Sequence, residues 1–512
     1  MEPTERFAPA RARRARTGRG SRAVAVLVAA TLIALAAACG PPEPPKDAYG
    51  LRTVLGDGEI VLEWSAPPGA AGATYEVQYG VGAGWLPLTT TTDTTATFSD
   101  VQERSTYWFR VRTAAQAGKS AGSWSPAVTA YYVEPVLPIV RIDTNGAAPI
   151  LDRDNYVPGT ISIDPNGSGY AAYSGTMGIR GRGNSTWAYP KKPYRVKLDT
   201  KSPIMGIAAE RDWVLLANYL DRSQLRTVAA MEASRATDMA YTPTLRHVEV
   251  ILNGRYDGVY VLTQHNEVGP DRVDITEMEP EDIAGEELTG GYRLEIDARL
   301  EENNEPGFRT GKNVPVVIKD PDPAAPQQRT YIRQFVQAFE DALFSPGFRD
   351  PNTGWRKYAD ERTFIDHYLV HELTRNQDYF FSSTFFTKER GDDKIRFGPV
   401  WDFDNSMGTI RGVGEFPPEG WFARTRPRPW INRIFQDETL RQEIVERWNE
   451  LKPAFEAIPP LLADLGEELE EAVLNDAARW GYEPHETDEP GFLVDWLNTR
   501  IAWIDQELAT AP

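Results

Sequence analysis

The sequence predicts an α+β protein headed by an all-β sandwich, and three observations predict it. Short alternating strands separated by turn clusters crowd the first part of the chain. An Asn-Gly hairpin lies near the middle, and apolar residues recur at helical spacing in the last third. At 512 residues the chain exceeds one domain; a prior of roughly 100–200 residues per domain gives two or three. Hydrophobic residues at 41% and aromatics at 11% suffice for large cores.

Residues 1–39 read as a leader. Seven Arg fall between Arg6 and Arg22, and an apolar run follows from Ala23 to Ala38, broken by Thr31. A run of about 16 residues is short of the roughly 20 that span a bilayer and suits a secretory signal. Small residues, Ala36 to Ala38, directly precede Cys39, the only cysteine. This resembles a bacterial lipobox, with Leu35 one place from the usual leucine position. The resemblance implies acylation of Cys39 and an extracytoplasmic protein held to the membrane by a lipid anchor alone; plain cleavage and secretion is the alternative. One cysteine allows no intrachain disulfide.

The leader masks acidity. The chain carries −19, and residues 1–39 hold seven Arg against Glu2 and Glu5, a net of +5, which leaves −24 for the remainder. Such a surface repels phosphodiester backbones and anionic lipid heads, which argues against nucleic acid as a partner.

After a Pro-rich tether (40–47), strands follow at Glu59–Trp64, Thr74–Tyr79 and Tyr107–Arg112, punctuated by Pro67-Pro68-Gly69 and Gly80 to Gly84. Trp64, Tyr75-Glu76-Val77, Tyr107-x-Phe109-Arg110-Val111 and Ser123-Trp124-Ser125 resemble a fibronectin type III module, an immunoglobulin-like sandwich, over 48–133. The resemblance implies a spacer or binding unit without chemistry, with Trp64 and Tyr107 in its core.

Val133-Glu134-Pro135 marks the boundary to a domain over 136–512. His247–Leu252, Asn253-Gly254 and Tyr256–Leu262 predict a hairpin, since Asn-Gly suits the tight turn. Phe364, Ile365, Tyr368, Leu369 and Leu373 predict a helix, as do Leu493, Trp496, Leu497, Ile501 and Ile504.

Four clusters carry chemistry. Arg180-Gly181-Arg182-Gly183-Asn184, with Lys192 and Lys197 behind it, joins glycines to positive charge, which suits phosphate but also an ordinary surface hairpin. Trp213–Leu216 reads as a buried strand, followed by Asp221 and Ser223 as caps of the next helix. Asn376-Gln377-Asp378 follows the helix ending near Leu373, and Phe385-Phe386 can pair with Ile395–Phe397. Trp401-Asp402-Phe403-Asp404 comes next; in an extended chain its two carboxylates share a side and would hold a hard cation between them. A loop aspartate, a hairpin and a second aspartate follow the order used in phosphoryl transfer, where one Asp takes the hydroxyl proton and the later one holds Mg²⁺.

These segments, together with Asp221-x-Ser223-x-x-Arg226, Asn253-Gly254-x-Tyr256-x-Gly258, Gly290-Gly291-Tyr292, Glu295-Ile296-Asp297 and Gly398-Pro399-Val400, resemble the CotH (spore-coat protein H) kinase family in order over nearly the whole domain. The resemblance implies a divergent protein-kinase-like fold and transfer of phosphate from ATP to serines of secreted proteins, with Mg²⁺ or Mn²⁺. It implies Asp378 as general base, Asp402 with Asp404 on the metal, and Arg180, Arg182, Lys192 and Lys197 as phosphate contacts. Glu295 and Asp297 stand as metal-supporting or structural groups. Kinase catalytic loops place a metal-binding Asn five residues after the base; that position is Ser383 here, with Asn405 a possible substitute. The partner so implied is a secreted or surface protein acceptor, and a monomer is the default.

Two other readings stand beside it. A catalytically weak, surface-binding assembly protein would use the aspartates for a structural cation. A carbohydrate-active enzyme would stack sugars on its 14 Trp and needs two carboxyl groups about 5–10 Å apart. A zinc hydrolase is disfavoured, since His367 and His371 lack the HExxH order.

Overall fold

The computed structural model describes residues 47–510, apart from positions 71, 82–83, 117–119, 411–413 and 483–488. Cys39 and the Pro41–Pro45 stretch lie outside the described residues.

The first unit is built from β1 (Tyr49–Leu55), β2 (Ile60–Ser65), β3 (Tyr75–Val81), β4 (Gly84–Thr91), β5 (Thr95–Phe98), β6 (Ser105–Thr113) and β7 (Val128–Tyr132). Strands β1-β2-β5 form one sheet and β4-β3-β6-β7 the other. Alternation buries Trp64, Tyr75, Val77, Tyr107, Phe109 and Val111 between them, as expected. The Tyr107 hydroxyl accepts the Gln102 N–H at 2.8 Å, which pins the turn before β6.

The sandwich continues into the next unit. Ile139, Ile251 and Tyr256 belong to its apolar cluster. The Leu55 N–H donates to the Gly254 carbonyl at 2.9 Å. Gly254 has φ +74°, and a Cβ there would meet the Thr53 carbonyl oxygen at 2.7 Å. Fully buried Glu249 accepts the Val136 and Leu137 N–H groups at 2.6 and 2.8 Å and the Tyr256 hydroxyl at 2.7 Å.

That unit is a closed barrel of β8 (Ile139–Thr144), β9 (Val157–Asp164), β10 (Tyr173–Gly181), β11 (Tyr194–Ile204), β12 (Ile207–Leu216), β13 (Leu245–Leu252) and β14 (Arg255–Gln264), in the order β10-β11-β12-β14-β13-β8-β9. The predicted hairpin is β13–β14, and Trp213–Leu216 is the buried end of β12. Helix α1 (Arg226–Arg235) enters between β12 and β13. Asp221 accepts the Arg226 N–H at 2.9 Å and pairs with its guanidinium at 2.8 Å, both side chains being buried. The aspartate thus works as a helix-start anchor.

The remainder has a five-stranded sheet: β15 (Tyr292–Ile296), β16 (Gly307–Arg309), β17 (Pro315–Asp320), β18 (Thr384–Lys388) and β19 (Ile395–Phe397), ordered β16-β17-β15-β18-β19. The predicted Phe385-Phe386 hairpin is β18–β19. Helices α2 (Pro326–Phe344), α3 (Glu361–Thr374), α4 (Pro429–Ile434), α5 (Glu438–Glu456), α6 (Ile458–Trp480) and α7 (Pro490–Ala509) pack around it, and α3 and α7 are the two predicted helices. Helix α6 grips the barrel through Asp476, which pairs with buried Lys191 at 2.8 Å and accepts the Val259 N–H at 2.9 Å. Gly258, at φ +110°, leaves the room; any Cβ would collide with that carboxylate. No helix among the described residues is long and apolar enough to cross a membrane.

Candidate functional site

A cavity of about 680 Å³ opens between the barrel, the five-stranded sheet and the loops after α3 and β19. Strand β10 and the residues behind it bring Arg180 and Arg182 to one side, with Arg153 from the β8–β9 connection and Arg195 from β11. On the other side stand Glu295, Asp297, Asp378, Asp402 and Asp404.

Of the residues singled out in the sequence, Asp378, Asp402, Asp404, Arg180, Arg182, Glu295 and Asp297 therefore share one cavity. Lys192 and Lys197 are not in its lining. The Lys192 ammonium turns back to the Trp187 carbonyl at 2.7 Å, over the Trp187 ring. Lys197 is exposed, 3.9 Å from Asp212. Lys192 precedes β11, and Lys197 shares the Arg195 face of that strand but lies farther along it, beyond the cavity.

Local structure explains how the acidic side is assembled. Helix α3 stops at Arg375, whose backbone is left-handed (φ 49°, ψ 44°). Asn376 follows: its Oδ1 accepts the Asp378 N–H at 2.9 Å within the same loop, and its Nδ2 donates across to the Asp402 carbonyl at 3.0 Å. Ser383 makes a second bridge. Its hydroxyl donates to Asp402 Oδ2 at 3.2 Å, and its N–H donates to Glu295 Oε1 at 3.1 Å. Behind these bonds, Tyr379 stacks on the buried His371 ring at 4.3 Å and Phe403 stacks on it at 5.1 Å. The residue after each candidate aspartate is thus anchored on one imidazole of α3, and burial holds that imidazole neutral. His371 and His367 serve as core rings here.

Asp402 departs from the extended chain expected for it; it sits in a loop at φ +70°. The two carboxylates reach the same cavity through that turn rather than through strand alternation. Arg182 faces them. Burial lowers its pKa, Asp402 and Asp404 oppose the shift, and Arg195 and Arg180 add to it. Glu295 is pushed up to about 7 by burial, although Lys319 lies 3.3 Å away and counters it. Lys319, from β17, also pairs with Glu305 at 3.1 Å. Sequence reasoning missed Lys319 and Arg153. Lys319 lies near the end of β17 and Arg153 in the β8–β9 connection, and the neighbours of both are set by long-range packing, so no local signal marks them.

The donor set suits a hard cation in a particular way. No group of three or more His, Cys, Asp or Glu among the described residues is arranged as a metal site. Mg²⁺, however, is commonly held by one or two carboxylates, with phosphate oxygens and water completing its shell. Asp402 and Asp404 supply such a partial set beside a cationic wall. The site is thus of the class that takes an anion against guanidinium groups and a cation against carboxylates.

The CotH kinase protein family matches over residues 179–504, more than half of the chain, and the fibronectin type III domain matches over 44–131. The chain belongs to the CotH kinase family, an ATP-using kinase family, and carries an N-terminal fibronectin type III domain. No curated protein matches it. Among solved structures, the crystal structure of FN3tt is 18% identical, covering 17% of this chain and 92% of its own, with TM-score 0.15. The solution structure of the fibronectin type-III domain of human fibronectin type III domain containing protein 3 is 22% identical, covering 19% and 88%, with TM-score 0.15.

Proposed function

We propose that this protein is an extracytoplasmic protein kinase that moves phosphate from ATP to Ser or Thr hydroxyls of surface or secreted proteins. Its α+β domain is read as a divergent kinase-like fold. The observation that carries the reading is the Asn376 bridge, which ties Asp378 and Asp402 together in a cavity whose opposite side is rich in arginine. Asp378 accepts the proton of the acceptor hydroxyl. The acceptor oxygen bonds to the γ-phosphorus as the bond from that phosphorus to its bridging oxygen breaks, and ADP leaves. Arg182 and Arg180 offset phosphate charge, and Asp402 with Asp404 would hold Mg²⁺ or Mn²⁺. When bound, that ion neutralises phosphate oxygens. The Arg-rich leader, the apolar run and Cys39 support attachment to the membrane by lipid alone.

The test is calorimetric ATP binding by residues 40–512, with and without Mg²⁺ or Mn²⁺, followed by transfer from labelled ATP to protein. Metal-dependent binding that Asp402→Ala abolishes and Asp378→Asn preserves is the expected result. Absence of nucleotide binding in either metal would overturn the proposal. It would favour the second reading, a surface-binding pseudokinase, to which Ser383 at the usual metal-binding Asn position lends weight.

A further inference from the structure

Two guanidinium groups lie beside Asp378 and belong to neither wall of the cavity. Arg426 and Arg428 flank Pro427 in the segment leading into α4, and the Arg428 N–H donates to the Arg426 carbonyl at 2.7 Å, closing a tight turn that keeps the two together. Pro427 and Pro429 hold the residues before them in extended backbone: Arg426 has φ −67°, ψ 141° and Arg428 has φ −116°, ψ 126°. Arg426 donates to the Gln377 carbonyl at 3.0 Å and lies over the Phe422 ring. Arg428 lies 5.1 Å over the Phe381 ring. The Nε of each is buried without a hydrogen-bond partner, and Asp378 is the carboxylate whose charge acts on both.

Their electrostatics are unbalanced. Burial lowers both, Arg426 lowers Arg428 further, and the charge of Asp378 is what opposes the loss. The charge of Asp378 thus acts on both cations, in a chain that is otherwise strongly acidic. Some guanidiniums of this half of the molecule are matched to carboxylates, Arg447 with Asp366 and Arg500 with Glu372, and others to backbone carbonyls, as Arg433 is to Leu343 and Ser345. Partly buried guanidiniums in surplus form a receptor for an anion, because a planar donor fork binds carboxylate or phosphate oxygens well. Asp378 lines the cavity and the two arginines do not, so an anion on them would sit beside the cavity rather than in it.

We infer that Arg426 and Arg428 select the acceptor, by binding an anionic side chain close in sequence to the hydroxyl that Asp378 deprotonates. The inference rests on the kinase reading for the word acceptor, but the binding site stands on its own geometry. The shared chemistry is a carboxylate or a phosphoryl group, and two probes distinguish the sources.

The experiment measures binding of three fluorescent Ser-containing peptides to the full chain by anisotropy. One has Glu flanking the Ser, one has Gln, and one has phosphoserine in place of Glu. The Glu or phosphoserine peptide should bind about tenfold more tightly than the Gln peptide, the size of one charge-assisted contact. The preference should shrink in high salt and collapse in Arg426→Gln/Arg428→Gln, while Arg428→Lys keeps part of it. A stronger preference for phosphoserine assigns the site to phosphate; equal preference assigns it to acidic side chains generally. A wild-type preference near unity, or one that survives the double substitution, overturns the inference. The salt series needs no variant, so a misfolded variant does not rescue it. Because no phosphate transfer is read, loss of the kinase reading would show separately, as absent ATP binding.

Discussion

The two walls of the cavity are built differently. Arg180 lies on β10, which pairs with β9 on one side and β11 on the other, and Arg195 lies on β11. The main chain itself fixes where those cations stand. The acidic wall is gathered from the end of β15, the loop after α3 and the loop after β19. Side chains, chiefly Asn376 and Ser383, add to a few main-chain bonds such as the Met407 N–H to the Thr374 carbonyl at 2.9 Å. The basic wall should therefore lose affinity gradually as its members are removed. The acidic wall should respond more steeply to the loss of a single side-chain bridge.

The largest test of that contrast is Asp378→Asn, which should lower phosphate transfer at least about 100-fold while nucleotide binding persists. Equal loss of binding and transfer would deny Asp378 the role of base. Next is Asn376→Ala, which removes the bond to the Asp402 loop and the one inside the Asp378 loop without touching a carboxylate. Each lost bond is worth about 1 kcal/mol, so kcat should fall on the order of tenfold or more, with KM for ATP changed less. Asn376→Asp keeps the acceptor to Asp378 but not the donor to Asp402, and should fall between. On the basic side, Arg182→Gln should raise the ATP dissociation constant about tenfold; an unchanged constant in titration would remove Arg182 from the phosphate contacts.

The smallest effect concerns pH. Burial raises Glu295 to about 7 in the folded state, from an ordinary value of 4.5. The folded protein then holds this proton more tightly than the unfolded chain does. Its contribution to stability is full below 4.5 and is lost as pH rises through about 7. Glu295→Gln should flatten the urea midpoint across that window, measured without nucleotide or metal. A slope identical to wild type would place Glu295 in a more polar setting than its burial suggests.

Much of this was readable from the chain. The β-sandwich, the Asn253-Gly254 hairpin and the helices holding Tyr368 and Trp496 follow from periodicity and turn chemistry, which are local. So was the convergence of Asp378 with Asp402, through the motif order. Barrel closure was not legible, because β8 meets β13 in parallel across more than a hundred residues and no local pattern records such a partner. For the same reason Lys319 beside Glu295 stayed hidden, and Lys192 and Lys197 looked equivalent to Arg180 and Arg182. The left-handed turn at Asp402 was also invisible, since an aspartate tolerates that conformation without advertising it.

The seam between sandwich and barrel bears on what can be inherited or excised as a piece. Residue 179, where the family match starts, falls inside β10, so a gene fragment cut there would leave the barrel without β8 and β9. A fragment starting at Pro135 would keep the barrel whole and still turn Ile139, Ile251 and Tyr256 toward water. Segments recognised by similarity and segments able to fold alone are, in this molecule, different objects.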